Sequence, residues 1–180
     1  MNSHAILAGG CFWCLDAAFR KLKGVSEVTS GYIGGDIPNP TYETVCSGSS
    51  GHAEAIKIVF DPAHISYHDL LTVFFAFHDP TTLNRQGHDV GTQYRSAIFP
   101  MNSEQVDEAQ ETIKTLTINE TFSSPIVTSI EPNETFFPAE TYHQDYYRKN
   151  LNEGYCSVVI SPKLAALRSR FSELLKDDER

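Results

Sequence analysis

Ala5-Ile6-Leu7-Ala8-Gly9-Gly10-Cys11-Phe12-Trp13-Cys14 is the stretch from which the rest of the chain can be read. Four apolar residues are too few for a helix, so Ala5–Ala8 reads as a short buried strand, ended by Gly9-Gly10. A helix then starts near Cys11 and runs to about Leu22. Outward from there, Val25 to Ile33 reads as a second strand closed by Gly34-Gly35. Residues 36–52 read as loop, broken by Pro38, Pro40, Gly48 and Gly51. In Glu54–Phe60, Ile56, Ile58 and Phe60 alternate with Ala55, Lys57 and Val59, the period of a strand. Ser66, with Asp69 three residues later, resembles a capping box. It opens a helix that is apolar on most sides through Leu70, Leu71, Val73, Phe74, Phe75 and Phe77, and is therefore expected to be buried. Residues 79–93 read as a polar loop and Tyr94–Phe99 as a strand.

These six elements run strand, helix, strand, strand, helix, strand, the order of a ferredoxin-like split unit. The expected fold is α+β: a two-layer core with a mainly antiparallel mixed sheet, helices packed on it, and extra C-terminal elements. Those extras are an Asn102-capped helix with the stripe Val106, Ala109, Ile113 and Leu116, a strand over Ile126–Ile130, and a short polar helix over Thr141–Asn150. Ser161-Pro162 opens a last helix with Leu164, Leu167, Phe171, Leu174 and Leu175 on its apolar face. Residues 1–180 read as a single domain, with 175–180 as a frayed tail.

Composition narrows the class. A hydrophobic fraction of 41% supports a core, and 21% charged residues do not describe a disordered chain. The formal charge of −9 comes with scattered basic residues. That argues against nucleic acid or an anionic membrane as the partner. The longest apolar run, Leu70–Phe77, is too short to span a bilayer. No leader is visible, so a cytoplasmic location is expected, and in that compartment four cysteines are more often thiols, metal ligands or redox centres than structural disulfides; a monomer is expected.

Cys11 follows a strand and two glycines at a helix start, where unpaired amides and the helix dipole favour a thiolate. A lowered pKa and a nucleophilic role are expected there; the alternative is a buried cysteine acting as a small apolar residue. Phe12 and Trp13 are adjacent, so a helix cannot turn both to one core stripe. Either one of them lines an apolar pocket beside Cys11, or one is core and the other half exposed. Glu54 shares a strand face with Ile56, Ile58 and Phe60. If that face meets the core, desolvation raises its pKa and makes it a proton donor; if not, it is a strand-end carboxylate in solvent. A zinc site finds little support, because one C-x-x-C pair has no second pair facing it and Cys46 and Cys156 stand alone. His52, His78, His88 and His143 read as loop or capping residues.

Several segments together resemble the peptide methionine sulfoxide reductase A family. They are Gly10-Cys11-Phe12-Trp13-Cys14, Thr41–Gly48, Gly51-His52-Ala53-Glu54-Ala55, His78-Asp79-Pro80, Gly91–Ser96, Tyr142-His143-Gln144 and Gly154-Tyr155-Cys156. The resemblance implies thiol-dependent reduction of methionine-S-sulfoxide, free and in proteins, with thioredoxin as reductant and no metal or organic cofactor. It implies Cys11 as nucleophile, Glu54 as proton donor, Tyr42 and Tyr94 as hydrogen-bond donors to the sulfoxide oxygen, Phe12 and Trp13 around the methyl group, and Asp89 on the methionine backbone. Cys14 stands where many members have Gly, and Ser50 where Thr is common.

The product on Cys11 would be a sulfenic acid, which a second thiol converts to a disulfide. Cys156 is the expected resolving residue. The family match points to it, and its Asn152-Glu153-Gly154 flank reads as a mobile polar loop. Cys14 is the alternative, nearest in sequence but facing one turn of helix, and Cys46 is expected to be a bystander. Two rival readings remain at this stage: a thioredoxin-type dithiol oxidoreductase using Cys11 and Cys14, and a zinc-stabilised binding module.

Overall fold

The computed structural model describes all 180 residues. Strand β1 (Ser3–Gly9) leads into helix α1 (Phe12–Phe19), strand β2 (Val25–Ile33), helix α2 (Tyr42–Cys46), strand β3 (Ala53–Phe60) and helix α3 (Tyr67–Phe77). A small hairpin of β4 (Arg85–Gln86) and β5 (Asp89–Val90) precedes strand β6 (Ser96–Ile98) and helix α4 (Ser103–Ile118). Short strands β7 (Ser129–Ile130) and β8 (Phe137–Pro138), helix α5 (Tyr146–Lys149) and helix α6 (Ser161–Phe171) follow, the last entered through a π-helical segment, Cys156–Ile160.

The main sheet runs β7-β6-β1-β3-β2-β8. Its inner four strands are antiparallel throughout, in the order that two split β-α-β units produce, and β7 joins parallel to β6. The ferredoxin-like core expected from the element order is therefore present, and the sheet is mixed. Alternation sorts β1 cleanly. Ala5 and Leu7 join Ile56, Ile58 and Phe60 under α1 and α3, whereas Ile6 and Ala8 join Ala53, Ala55, Ala97 and Phe99 on the other face. Phe12, Phe19, Phe60 and Phe74 are fully buried or nearly so, each contributing roughly 2 kcal/mol of apolar burial.

The Ser66 capping box is present in full. Asp69 N–H donates to Ser66 Oγ at 3.0 Å, and Ser66 N–H donates to Asp69 Oδ2 at 3.1 Å. Asn102 caps α4 by accepting Gln105 N–H at 2.9 Å. Several element boundaries differ from expectation. Helix α1 stops at Phe19, and Leu22 instead forms a β-bridge with Leu175. The 36–52 loop contains α2, capped by Thr41 and Thr44. The 79–93 loop contains the β4–β5 hairpin. Tyr94 closes a 3₁₀ turn, Thr92–Tyr94, instead of opening the strand, which starts at Ser96, and the expected Ile126 strand is only Ser129–Ile130. The Thr141–Asn150 helix is split into a 3₁₀ turn and α5 by Asp145, whose φ of 52° is left-handed.

The C-terminal residues are not a free end. Leu175 is buried, Lys23 N–H donates to Leu174 O at 2.8 Å, and Lys176 N–H donates to Lys21 O at 2.9 Å. No helix is long and apolar enough to cross a membrane.

Candidate active site

Gly10 sets the turn between β1 and α1. Its φ of +91° is left-handed, and a Cβ there would lie 2.6 Å from Gln86 Cγ, so both backbone and space call for glycine. The turn leaves Cys11 as the N-cap residue of α1, half-buried. The expected depression of its pKa is not what the surroundings produce. Burial first, then the Cys14 thiol and the Glu54 charge, push Cys11 well up, against a smaller downward pull from the Trp13 N–H. The helix start does offer an amide, but desolvation outweighs it. Cys14 moves the other way. A hydrogen bond from Cys11 holds it down against its burial, helped by Lys163 and Tyr155. The two thiols thus act as a pair.

Glu54 lies where strand alternation put it. It is 1% exposed, and its Oε1 accepts Phe12 N–H at 3.1 Å, one residue from Cys11. Burial pushes its pKa up to about 8, with the charges of Asp89 and Cys14 adding to the rise and the Phe12 amide opposing it. A carboxyl in that range is largely protonated at neutral pH and can donate.

Phe12 is fully buried against Tyr32 and His143, whereas Trp13 is half-buried. Trp13 stacks flat on Tyr146, centroids 3.8 Å apart at 5°, and meets Tyr155 edge-on at 6.0 Å. Its indole N–H donates to His143 Nδ1 at 3.0 Å. Tyr42, on α2, is anchored by its own N–H to Glu140 Oε2 at 2.9 Å, and its ring lies 4.5 Å from that of His143. Burial and the nearby Glu54 charge raise both Tyr42 and Tyr94, which keeps their hydroxyls as donors. Asp89 accepts the Tyr155 hydroxyl at 2.9 Å, and the same hydroxyl is 3.8 Å from Cys14 Sγ.

Cys156 departs from expectation. It is fully buried and opens the π-helical segment that leads into α6, rather than lying in a loop; burial pushes its thiol up to about 11. The polar flank Asn152–Gly154 is exposed, but Cys156 and Ile160 point into the core. All four cysteines are unpaired.

Tyr146 and Tyr155 were not singled out from the sequence, and His143, read there as a loop or capping residue, is a core contributor to the site. His143 is fully buried, and its Nε2 has no partner. Accepting the indole proton at Nδ1 leaves the ring proton on Nε2, and burial lowers its pKa, so the ring is neutral. The Tyr-His-Gln segment was the signal available for it. Nowhere do three His, Cys, Asp or Glu side chains converge as a metal-binding group. A cavity of about 980 Å³ lies between α3 and α4 and contains none of the thiols. Chemistry, not volume, marks the site.

A model of the family described as peptide methionine sulfoxide reductase matches residues 3–175, nearly the whole chain. The chain belongs to the peptide methionine sulfoxide reductase family. It is an oxidoreductase that acts on methionine sulfoxide. The reductase is 59% identical over 175 residues to the peptide methionine sulfoxide reductase MsrA of Deinococcus radiodurans, covering 97% of this chain and 85% of that one. It is 58% identical over 173 residues to the MsrA of Chromobacterium violaceum, covering 96% and 98%. Among solved structures, Mxr1 of Saccharomyces cerevisiae in reduced form superposes with a TM-score of 0.80 at 34% identity, covering 86% of this chain and 89% of that one. Mxr1 has also been solved in an oxidised form and in complex with Trx2.

Proposed function

We propose that the reductase converts the S epimer of methionine sulfoxide, free and in proteins, to methionine, with Cys11 as nucleophile and Glu54 as general acid. One observation carries the reading: a carboxyl held protonated by burial, bonded to the amide next to Cys11. A sulfoxide oxygen leaves only when protonated. Glu54 supplies a proton to that oxygen as Cys11 sulfur bonds to the sulfoxide sulfur. The Cys11 thiol proton passes to the Glu54 carboxylate; the new sulfur–sulfur bond and the sulfur–oxygen bond then break as the hydroxyl passes to Cys11 sulfur, the bonding electrons staying on the methionine sulfur. Methionine and a sulfenic acid are the products, the substrate sulfur being reduced and Cys11 oxidised. Tyr42 and Tyr94, kept neutral, donate hydrogen bonds to the oxygen. Phe12 and Trp13 hold the methyl group, and Asp89 the methionine backbone.

A second thiol expels water from the sulfenic acid and forms a disulfide, which an external dithiol such as thioredoxin reduces. The complex of Mxr1 with Trx2 supports that partner. Cys156 is the resolving thiol in this reading, and its burial means that its helical segment must open first. A second reading has Cys14 closing first, favoured by its hydrogen bond with Cys11 and its lowered pKa. Four unpaired thiols suit a reducing cytoplasm, and a monomer suffices for the chemistry. Turnover of the separated epimers with a dithiol reductant tests the function. The S epimer is consumed and the R epimer is not; equal rates would overturn the S specificity, and insulin disulfide reduction without either turnover would favour a general dithiol oxidoreductase.

A further inference from the structure

The segment from Ala139 to Tyr146 contacts the aromatic residues beside Cys11, yet it carries only a 3₁₀ turn and the first residue of α5. Glu140, His143 and Tyr146, spaced by three, face the site. Glu140 accepts Tyr42 N–H at 2.9 Å and the Tyr32 hydroxyl at 2.8 Å. His143 accepts the Trp13 indole proton, and Tyr146 stacks on that indole.

Gln144 holds the segment down. Strand β8 pairs with β2 only at Gly31 and Tyr32. At Ser30, the preceding residue of β2, one backbone bond remains, donated by Ala139 N–H to Ser30 O at 2.8 Å, and the Gln144 side chain extends the edge from there. Ser30 N–H donates to its Oε1 at 2.9 Å, and its Nε2 donates to Ser30 O at 2.9 Å and to Ala139 O at 3.1 Å. Asp16, on α1, grips the same point from the other side. Its Oδ2 accepts the Ser30 hydroxyl at 3.1 Å and Asp145 N–H at 3.3 Å, and Arg20 pairs with it.

We infer that Gln144 is a positioning residue of the reductase site: by clasping both backbone groups of Ser30 it fixes the 139–146 segment, and through that segment Trp13 and Tyr42. The inference rests on the reading of Trp13 and Tyr42 as substrate-contacting groups. Its physical basis is that, past the one backbone bond from Ala139, the segment depends on these side-chain bonds to exclude alternative placements.

Gln144→Met keeps the side chain's length and removes its hydrogen bonds. Trp13 is the single tryptophan, so acrylamide quenching of fluorescence reads its cover directly, without substrate. Quenching is expected to rise. KM for methionine-S-sulfoxide rises roughly tenfold, the size of one lost buried contact. The first-turnover rate at saturation falls by less than KM rises, and only through Tyr42, because no hydrogen bond joins the segment to Cys11 or Glu54. Wild-type quenching and KM in folded Gln144→Met would overturn the inference, as would a loss confined to the saturated rate. If that variant does not fold, Gln144→Glu, which keeps the acceptor for Ser30 N–H and loses the donors, is read by the same criteria. An inactive wild-type protein would sink the functional reading alone; unchanged quenching would sink the clasp.

Discussion

At Glu54 a single carboxyl ties the strand to the reaction. Glu54→Gln keeps the shape and the bond to the Phe12 amide but cannot deliver a carboxylic proton, so the first-turnover rate should fall by about two to four orders of magnitude. Stopped-flow mixing with substrate measures it. In the wild-type protein the same rate should decline as pH climbs through about 8, where Glu54 loses its proton, and that limb should vanish in the variant. The sign for stability follows from the raised pKa. The unfolded carboxyl gives up its proton near 4.5 and the folded one near 8, so stability falls as pH rises between them, and Glu54→Gln should flatten that slope in urea titrations. Glu54 was legible from period-two alternation because a strand offers only two faces. The pKa of Cys11 was not. The helix-start argument sees the Trp13 amide, but not the burial or the Cys14 thiol, which depend on packing across the chain.

The elements around Trp13 show where sequence patterns stop. Trp13→Ala removes a flat stack on Tyr146 and the bond to His143. Because the ring is half-buried, KM should rise by roughly tenfold or more, consistent with aromatic contacts of about 1 kcal/mol plus a hydrogen bond. A sharp drop in Tm with unchanged kinetic constants would instead make Trp13 a core residue. Local rules gave α3 and α4 because their caps are written within four residues. They missed α2, whose Thr41–Thr44 cap lies among proline and glycine breakers, and they misread the entry to α6. Asn152-Glu153-Gly154 resembles a loop, but the helix begins before Ser161-Pro162, and Cys156 is drawn into the core by contacts no local pattern contains.

Over the whole molecule, the βαββαβ order was enough to specify the inner sheet, because right-handed crossovers leave few alternatives. The C-terminus was the larger miss, since its charged end hides Leu175. That side chain is 1% exposed and pairs with Leu22 beyond α1. Leu175→Ala should cost about 2–4 kcal/mol by urea denaturation, where a frayed residue would cost less than about 0.5 kcal/mol. The tail thereby braces the helix that begins at Cys11. The most direct measurement on the whole chain is a single turnover without reductant. One equivalent of methionine-S-sulfoxide should yield one methionine per chain, and peptide mapping should find Cys11 in a disulfide; Cys11→Ser, still folded, should yield none. Methionine formed at the wild-type rate by Cys11→Ser, or by wild-type protein whose Cys11 stays a free thiol, would contradict the account.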